Sequence, residues 1–132
     1  MDKRTYKYIA DRDLKTAQDL LSLKSYSPAG IYAQQAVEKY LKHYIDVNGD
    51  TDDIALLTTH NLLGLYNKVV ELGGLEYNSD YRKMMYVLRS YYFELNYPGD
   101  NFRELGKEEA TEAVEFAKEL IATIKWTKDS KG

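Results

Sequence analysis

Two histidines, His43 and His60, are the residues of the 132-residue chain whose ordinary titration lies near neutral pH. His60 follows Thr59 and precedes an apolar run from Leu62. A histidine at a helix start either contacts phosphate or acts as a base, or it hydrogen-bonds the preceding loop and fixes where the helix begins. His43 stands between Lys42 and Tyr44 among polar helical neighbours, which predicts an exposed position. Neither histidine has an i, i+4 partner of its kind, so the pair does not spell a metal site. The chain has no cysteine, which removes disulfides, thiolate nucleophiles and sulfur-based zinc sites.

Glu38, Lys39 and Lys42 share one helical strip, with Glu38 and Lys42 at i, i+4 in the favourable orientation. That pattern predicts a solvated salt bridge; the functional alternative is a lysine displayed at a subunit or nucleotide contact. Tyr81, Tyr86, Tyr91, Tyr92 and Tyr97 interleave with Arg82 and Arg89. Aromatics mixed with arginine stack bases and hold phosphate, and they also suit a dimer interface, the reading favoured here. Thirteen tyrosines against three phenylalanines and one tryptophan suit a wet core, an interface or a base-stacking surface alike. No Gly-rich phosphate loop, carboxylate cluster on one helix face or Ser–His–Asp order is present.

Helices must position these residues, because the apolar spacing is helical throughout and no segment reads as a strand. The first helix runs from about Thr5 to Leu23, with Ala10, Leu14, Ala17 and Leu21 on one face. Ser27-Pro28 starts a second by N-cap and first-turn proline, and Asn48-Gly49 ends it as a left-handed-tolerant pair. Ala29, Ala33 and Ala36 let another backbone approach it closely. An acidic connection from Asp50 ends in the cap signal Thr58-Thr59. A shorter third helix carries Leu62, Leu65, Val69 and Leu72 and stops at Gly73-Gly74. Asn78 or Ser79 caps a fourth, whose inner face is Tyr81, Met84/Met85, Leu88, Tyr91/Tyr92 and Leu95. After the turn cluster from Asn96 to Asn101, the last helix starts near Lys107, with Lys125, Lys128 and Lys131 at its C-terminal end. The expected fold is all-α: an antiparallel up-and-down bundle of four long helices plus a short fifth, one domain over residues 1–132.

The formal charge of −3 argues against a strongly basic nucleic-acid clamp or a polybasic membrane binder, though not against a local basic patch. The apolar runs are too short to cross a bilayer, and the first residues lack a signal-peptide core, so a cytoplasmic location is expected. No cofactor is implied.

Three stretches together resemble the HEPN domain family. The stretch from Tyr26 to Lys42, with its run Gln34-Gln35-Ala36-Val37-Glu38-Lys39-Tyr40-Leu41-Lys42, resembles its main signature. Thr59-His60-Asn61-Leu62 is similar to the short run before the family's next helix, and Asn96-Tyr97-Pro98-Gly99 stands where a turn motif follows the penultimate long helix. The resemblance implies a small homodimeric helical bundle, a nucleotidyltransferase-type partner in a toxin–antitoxin-like pair, and nucleotide or RNA binding. In several lineages a paired arginine and histidine from two protomers make a metal-independent ribonuclease. Here Arg89 is followed, after six residues, by Asn96 rather than histidine. An amide exchanges no proton near neutral pH, and an unperturbed tyrosine such as Tyr97 is a poor base there. Lost acid–base catalysis typically costs about a hundred- to ten-thousand-fold. The resemblance therefore implies a binding module with its cleft at Arg89, Asn96, Tyr97 and His60, and Lys42 and Lys39 as secondary ligands. The alternative is an endoribonuclease toxin acting through Arg89 with His60 or Tyr97, Asn96 completing the candidate set. Some partners of this kind attach nucleotides to a tyrosine two residues beyond the motif histidine; Tyr97 directly follows Asn96, a different register.

Overall fold

Side-chain caps decide where most of the helices begin. The computed structural model describes residues 5–126, and within them there are five α-helices, one 3-10 helix and no strand. Thr5 opens α1 (Tyr6–Ser22), its hydroxyl accepting the Tyr8 N–H at 3.1 Å. α2 spans Tyr26–Asn48, α3 Leu62–Leu72, α4 Ser79–Glu94 and α5 Lys107–Thr123. Of the two cap candidates, Asn78 rather than Ser79 caps α4, accepting from the Asp80 and Tyr81 N–H groups. Gly73 ends α3 at φ 91°, the left-handed conformation glycine adopts without strain.

Several boundaries differ from the sequence expectation. α2 starts at Tyr26, not after Ser27, because the Ser27 hydroxyl is turned away to accept the Leu105 N–H at 2.8 Å. Gly49 follows α2 in an extended conformation, not a left-handed one. The acidic connection contains a 3-10 helix at Asp53–Thr58. The cap of α3 is Asn61, which accepts from Gly64, while Thr59 accepts the Asn61 N–H one step earlier. α5 stops at Thr123 with no basic residue in its last turn. Lys125 lies beyond it, and Lys128 and Lys131 fall outside the described residues.

α2 is the central element and packs against every other helix. Ala29, Ala33 and Ala36 are fully buried, as are Ala10 and Ala17 of α1, so small side chains lie where helices meet closely. Gly30 continues that face: any Cβ there would collide with the Leu105 side chain. Around the alanines sit Val37, Leu41, Ile45, Leu62, Leu65, Met85, Leu88 and Leu120.

The tyrosines explain themselves by their hydroxyls. Tyr40 donates to Asp11 at 2.9 Å, Tyr44 to the Leu72 carbonyl at 3.2 Å and Tyr66 to the Asn78 carbonyl at 3.2 Å. Tyr81 pairs with Thr123 at 3.2 Å. Each buries its ring and satisfies its polar tip at the core's edge, tying two segments together. Arg103 binds the end of α4 to the start of α5, donating to Glu94 at 2.9 Å and Glu109 at 2.8 Å while lying over the Tyr91 ring. Among the described residues, no helix is long and apolar enough to cross a membrane.

Candidate functional site

The start of α3 and the middle of α4 bring His60 and Arg89 to one pocket. It encloses about 250 Å³ and is lined by Thr59, His60, Asn61, Arg89, Tyr92 and Phe93. Asn61 capping and the Thr59 turn fix the backbone on which His60 sits. Its imidazole stacks on Tyr92, with ring centroids 5.2 Å apart and planes 17° from parallel. Behind it lies Glu38 of α2, both carboxylate oxygens 3.2 Å from His60 Nδ1.

Glu38 is the centre of a buried polar network. Lys42 Nζ lies 3.1 Å from its carboxylate, Lys39 Nζ 3.6 Å, and Gln34 Nε2 donates to it at 3.4 Å. Glu38 and Lys42 are 2 % and 4 % exposed, so the expected solvated bridge is a buried ion pair. A helix that every other helix contacts has little open face left to hold it. Asp13 of α1 is also buried; burial raises its pKa against the opposing charges of Arg12 and Lys39.

The predicted exposed His43 is instead half-buried. Its ring meets the Trp126 ring at 5.5 Å, edge to face, and its Nδ1 is buried with no hydrogen-bond partner among the described residues. Burial holds its pKa below the ordinary value; Lys7 adds to this, and Asp46 and Asp11 oppose it.

The remaining candidates fall next to the pocket. Tyr97 lies 6.2 Å from Tyr92, ring to ring, and its neighbouring hydroxyl raises the Tyr92 pKa. Asn96 does not face Arg89. It is exposed, and its amide turns back to donate to the Tyr92 carbonyl at 2.8 Å, closing the end of α4. Asn96 and Tyr97 line a separate open hollow of about 320 Å³ with Pro98, Gly99 and Phe102. Lys39 and Lys42 reach the site only through Glu38. The tyrosine strip divides: Tyr81 and Tyr91 are core, while Tyr86 and Tyr97 are exposed and Tyr92 half-buried.

Sequence reasoning missed Phe93, which lines the pocket and is two-thirds exposed. The signal was present, since Tyr86, Phe93 and Tyr97 recur at the i, i+7, i+11 spacing of one helix face. A hollow of about 360 Å³ between the α3–α4 connection and the end of α5 contains none of the candidates. No group of His, Asp and Glu that could hold a metal occurs among the described residues. What the pocket offers is one guanidinium, one imidazole and two aromatic rings, a set suited to a phosphate beside a flat base.

The HEPN domain family matches residues 4–127, and the chain belongs to that family. The crystal structure of TT1696 from Thermus thermophilus has a similar fold, with a TM-score of 0.72 and 26% identity over 93% of this chain and 96% of that one. Comparison with curated proteins gives no match.

Proposed function

We propose that the chain is a homodimeric HEPN module that binds a nucleotide or RNA at the His60–Arg89 pocket. The observation that carries this is the convergence of His60, Arg89 and Tyr92, from separate elements, on one pocket. Arg89 is the phosphate holder and Tyr92 with Phe93 the stacking surface. The exposed face of Tyr86, Phe93 and Tyr97 adjoins the pocket and supports the dimer reading. We read the helices as one up-and-down bundle, four long and one short, acting in the cytoplasm beside a nucleotidyltransferase-type partner in a toxin–antitoxin-like pair. DNA and membranes are not among the expected partners. Two measurements test this: light scattering after size exclusion, and thermal shift with ATP, GTP and RNA. A dimer whose midpoint rises with ligand supports it by mass action. A strict monomer with no shift rejects it.

One observation favours a second reading, a metal-independent endoribonuclease: Arg89 shares its pocket with a histidine despite the amide at Asn96. Cleavage of RNA in EDTA, abolished in Arg89→Ala, would establish that reading over simple binding.

A further inference from the structure

The site contains a buried carboxylate that the binding reading leaves unused. Glu38 is 2 % exposed, yet it puts both oxygens within 3.2 Å of one nitrogen of a largely exposed imidazole. A carboxylate paired with Lys42 at 3.1 Å accepts hydrogen bonds and donates none. The neutral His60 ring must therefore carry its proton on Nδ1. Nε2 makes no hydrogen bond among the described residues, and the side chain is 58% exposed, so this nitrogen is left on the open side as an acceptor. Tyr92 restrains the ring by stacking at 5.2 Å. Carboxylate partners fix histidine tautomers in this way wherever the second nitrogen has work to do.

We propose that Glu38 is a positioning residue that locks His60 with Nε2 as a hydrogen-bond acceptor, so that the pocket selects a ribose phosphate over its deoxy counterpart. This rests on the reading of the pocket as a nucleotide or RNA site. A phosphodiester and the edge of a base held by stacking offer Nε2 no obligatory donor; the ribose 2′-hydroxyl beside a 3′-phosphate does. With Arg89 on the phosphate, His60 takes the neighbouring hydroxyl.

The test begins with the free full-length protein. Long-range proton–nitrogen correlation at pH 8, with the two histidines assigned through a His43→Gln variant, reads the tautomer directly. The expected result is a protonated Nδ1 and a bare Nε2 for His60 in the wild type. In the double variant Glu38→Met/Lys42→Met, which removes both buried charges while keeping volume, His60 should shift toward the Nε2-protonated form. Adenosine 3′-monophosphate and an oligoadenylate RNA are then compared with their 2′-deoxy forms. The wild type should favour each ribo form roughly three- to tenfold, the worth of one hydrogen bond, and the double variant should bind both forms alike. A wild-type His60 protonated on Nε2, or equal wild-type affinity for ribo and deoxy ligands, overturns the proposal while leaving the binding reading intact. No binding of any of the four ligands by the wild type overturns both.

Discussion

Tyr92 lies nearly parallel to His60, 5.2 Å from ring centre to ring centre, and it is the contact that joins α4 to the start of α3 at the pocket. One face of the imidazole is thus occupied by the protein, and the tyrosine itself borders the open space. Tyr92→Ala should lower nucleotide affinity by about 1–3 kcal/mol, the range of one base–aromatic stack. The thermal midpoint should change little, because Tyr92 is only half-buried. Calorimetric titration with RNA beside a melting curve separates the two effects. A large fall in the midpoint with unchanged affinity would make the stack structural.

Lys42 tests the network from the other side. Its ammonium is 3.1 Å from Glu38, with both side chains nearly inaccessible. Removing one member of such a pair strands the other, which typically costs about 3–5 kcal/mol. Glu38 keeps Lys39, Gln34 and His60, so Lys42→Met is expected near the lower end, about 3 kcal/mol. Glu38→Met/Lys42→Met should recover most of the loss, because two apolar chains of similar volume replace the pair. Urea denaturation of the three proteins measures this.

His43 gives the fold a pH dependence. Burial depresses its pKa below 6.5, with Lys7 of α1 acting the same way and Asp46 of α2 and Asp11 of α1 opposing. The folded state therefore prefers the neutral ring. Its contribution is complete above 6.5, declines as the pH falls below that value because the unfolded chain takes the proton first, and levels off below the folded pKa. Melting curves between pH 8 and 5 should show the decline, and His43→Gln should flatten it. Trp126 is the single tryptophan and lies 5.5 Å from His43, so its fluorescence follows the same titration.

Arg103 contributes to the acid side of the profile, as Lys68 does through Asp53. The Arg103 hydrogen bond holds the Glu109 carboxyl below the ordinary 4.5. A depressed carboxylate contributes its stability above the ordinary value and loses it as the pH drops through the lower folded one. Glu109 is well exposed to solvent, so screening keeps the effect small, about 0.2–1 kcal/mol for Arg103→Met at neutral pH. The difference between wild type and variant should narrow in strong acid to what the Arg103 contact with the Tyr91 ring contributes, which paired denaturation curves would show.

The helical framework was legible because its signals are local. The stripe of Ala10, Leu14, Ala17 and Leu21 gave α1, and Asn78 and Gly73 fixed ends through hydrogen bonds that reach only a few residues. The failures are non-local. Ser27 is a sound cap by itself, and only Leu105, 78 residues away, claims its hydroxyl. Glu38 and Lys42 carry the same i, i+4 pattern whether on a surface or in a core; the packing of other helices around α2 decides which. For the candidate site, the resemblance set His60 and Arg89 in one expected cleft, while the shape of the pocket that both line depends on how α3 meets α4, which no local signal carries. Asn96 was placed in the cleft by register alone, while its amide is spent on the end of its own helix.

Arg89 and Asn96 therefore make opposite predictions. Arg89 is exposed on α4 and makes no ion pair among the described residues, so its charge is uncommitted within the fold. Arg89→Ala should leave the folding stability within about 0.5 kcal/mol of wild type, as surface substitutions do. Its ligand affinity should fall by about 1.5–3 kcal/mol, the worth of a charge-assisted hydrogen bond. Asn96→Ala should do the reverse: a loss of about 0.5–1.5 kcal/mol in stability from the missing bond to the Tyr92 carbonyl, with ligand affinity unchanged. If instead Asn96→Ala abolishes binding and Arg89→Ala does not, the ligand lies over the hollow of Asn96, Tyr97 and Phe102, and the His60 pocket is not the site.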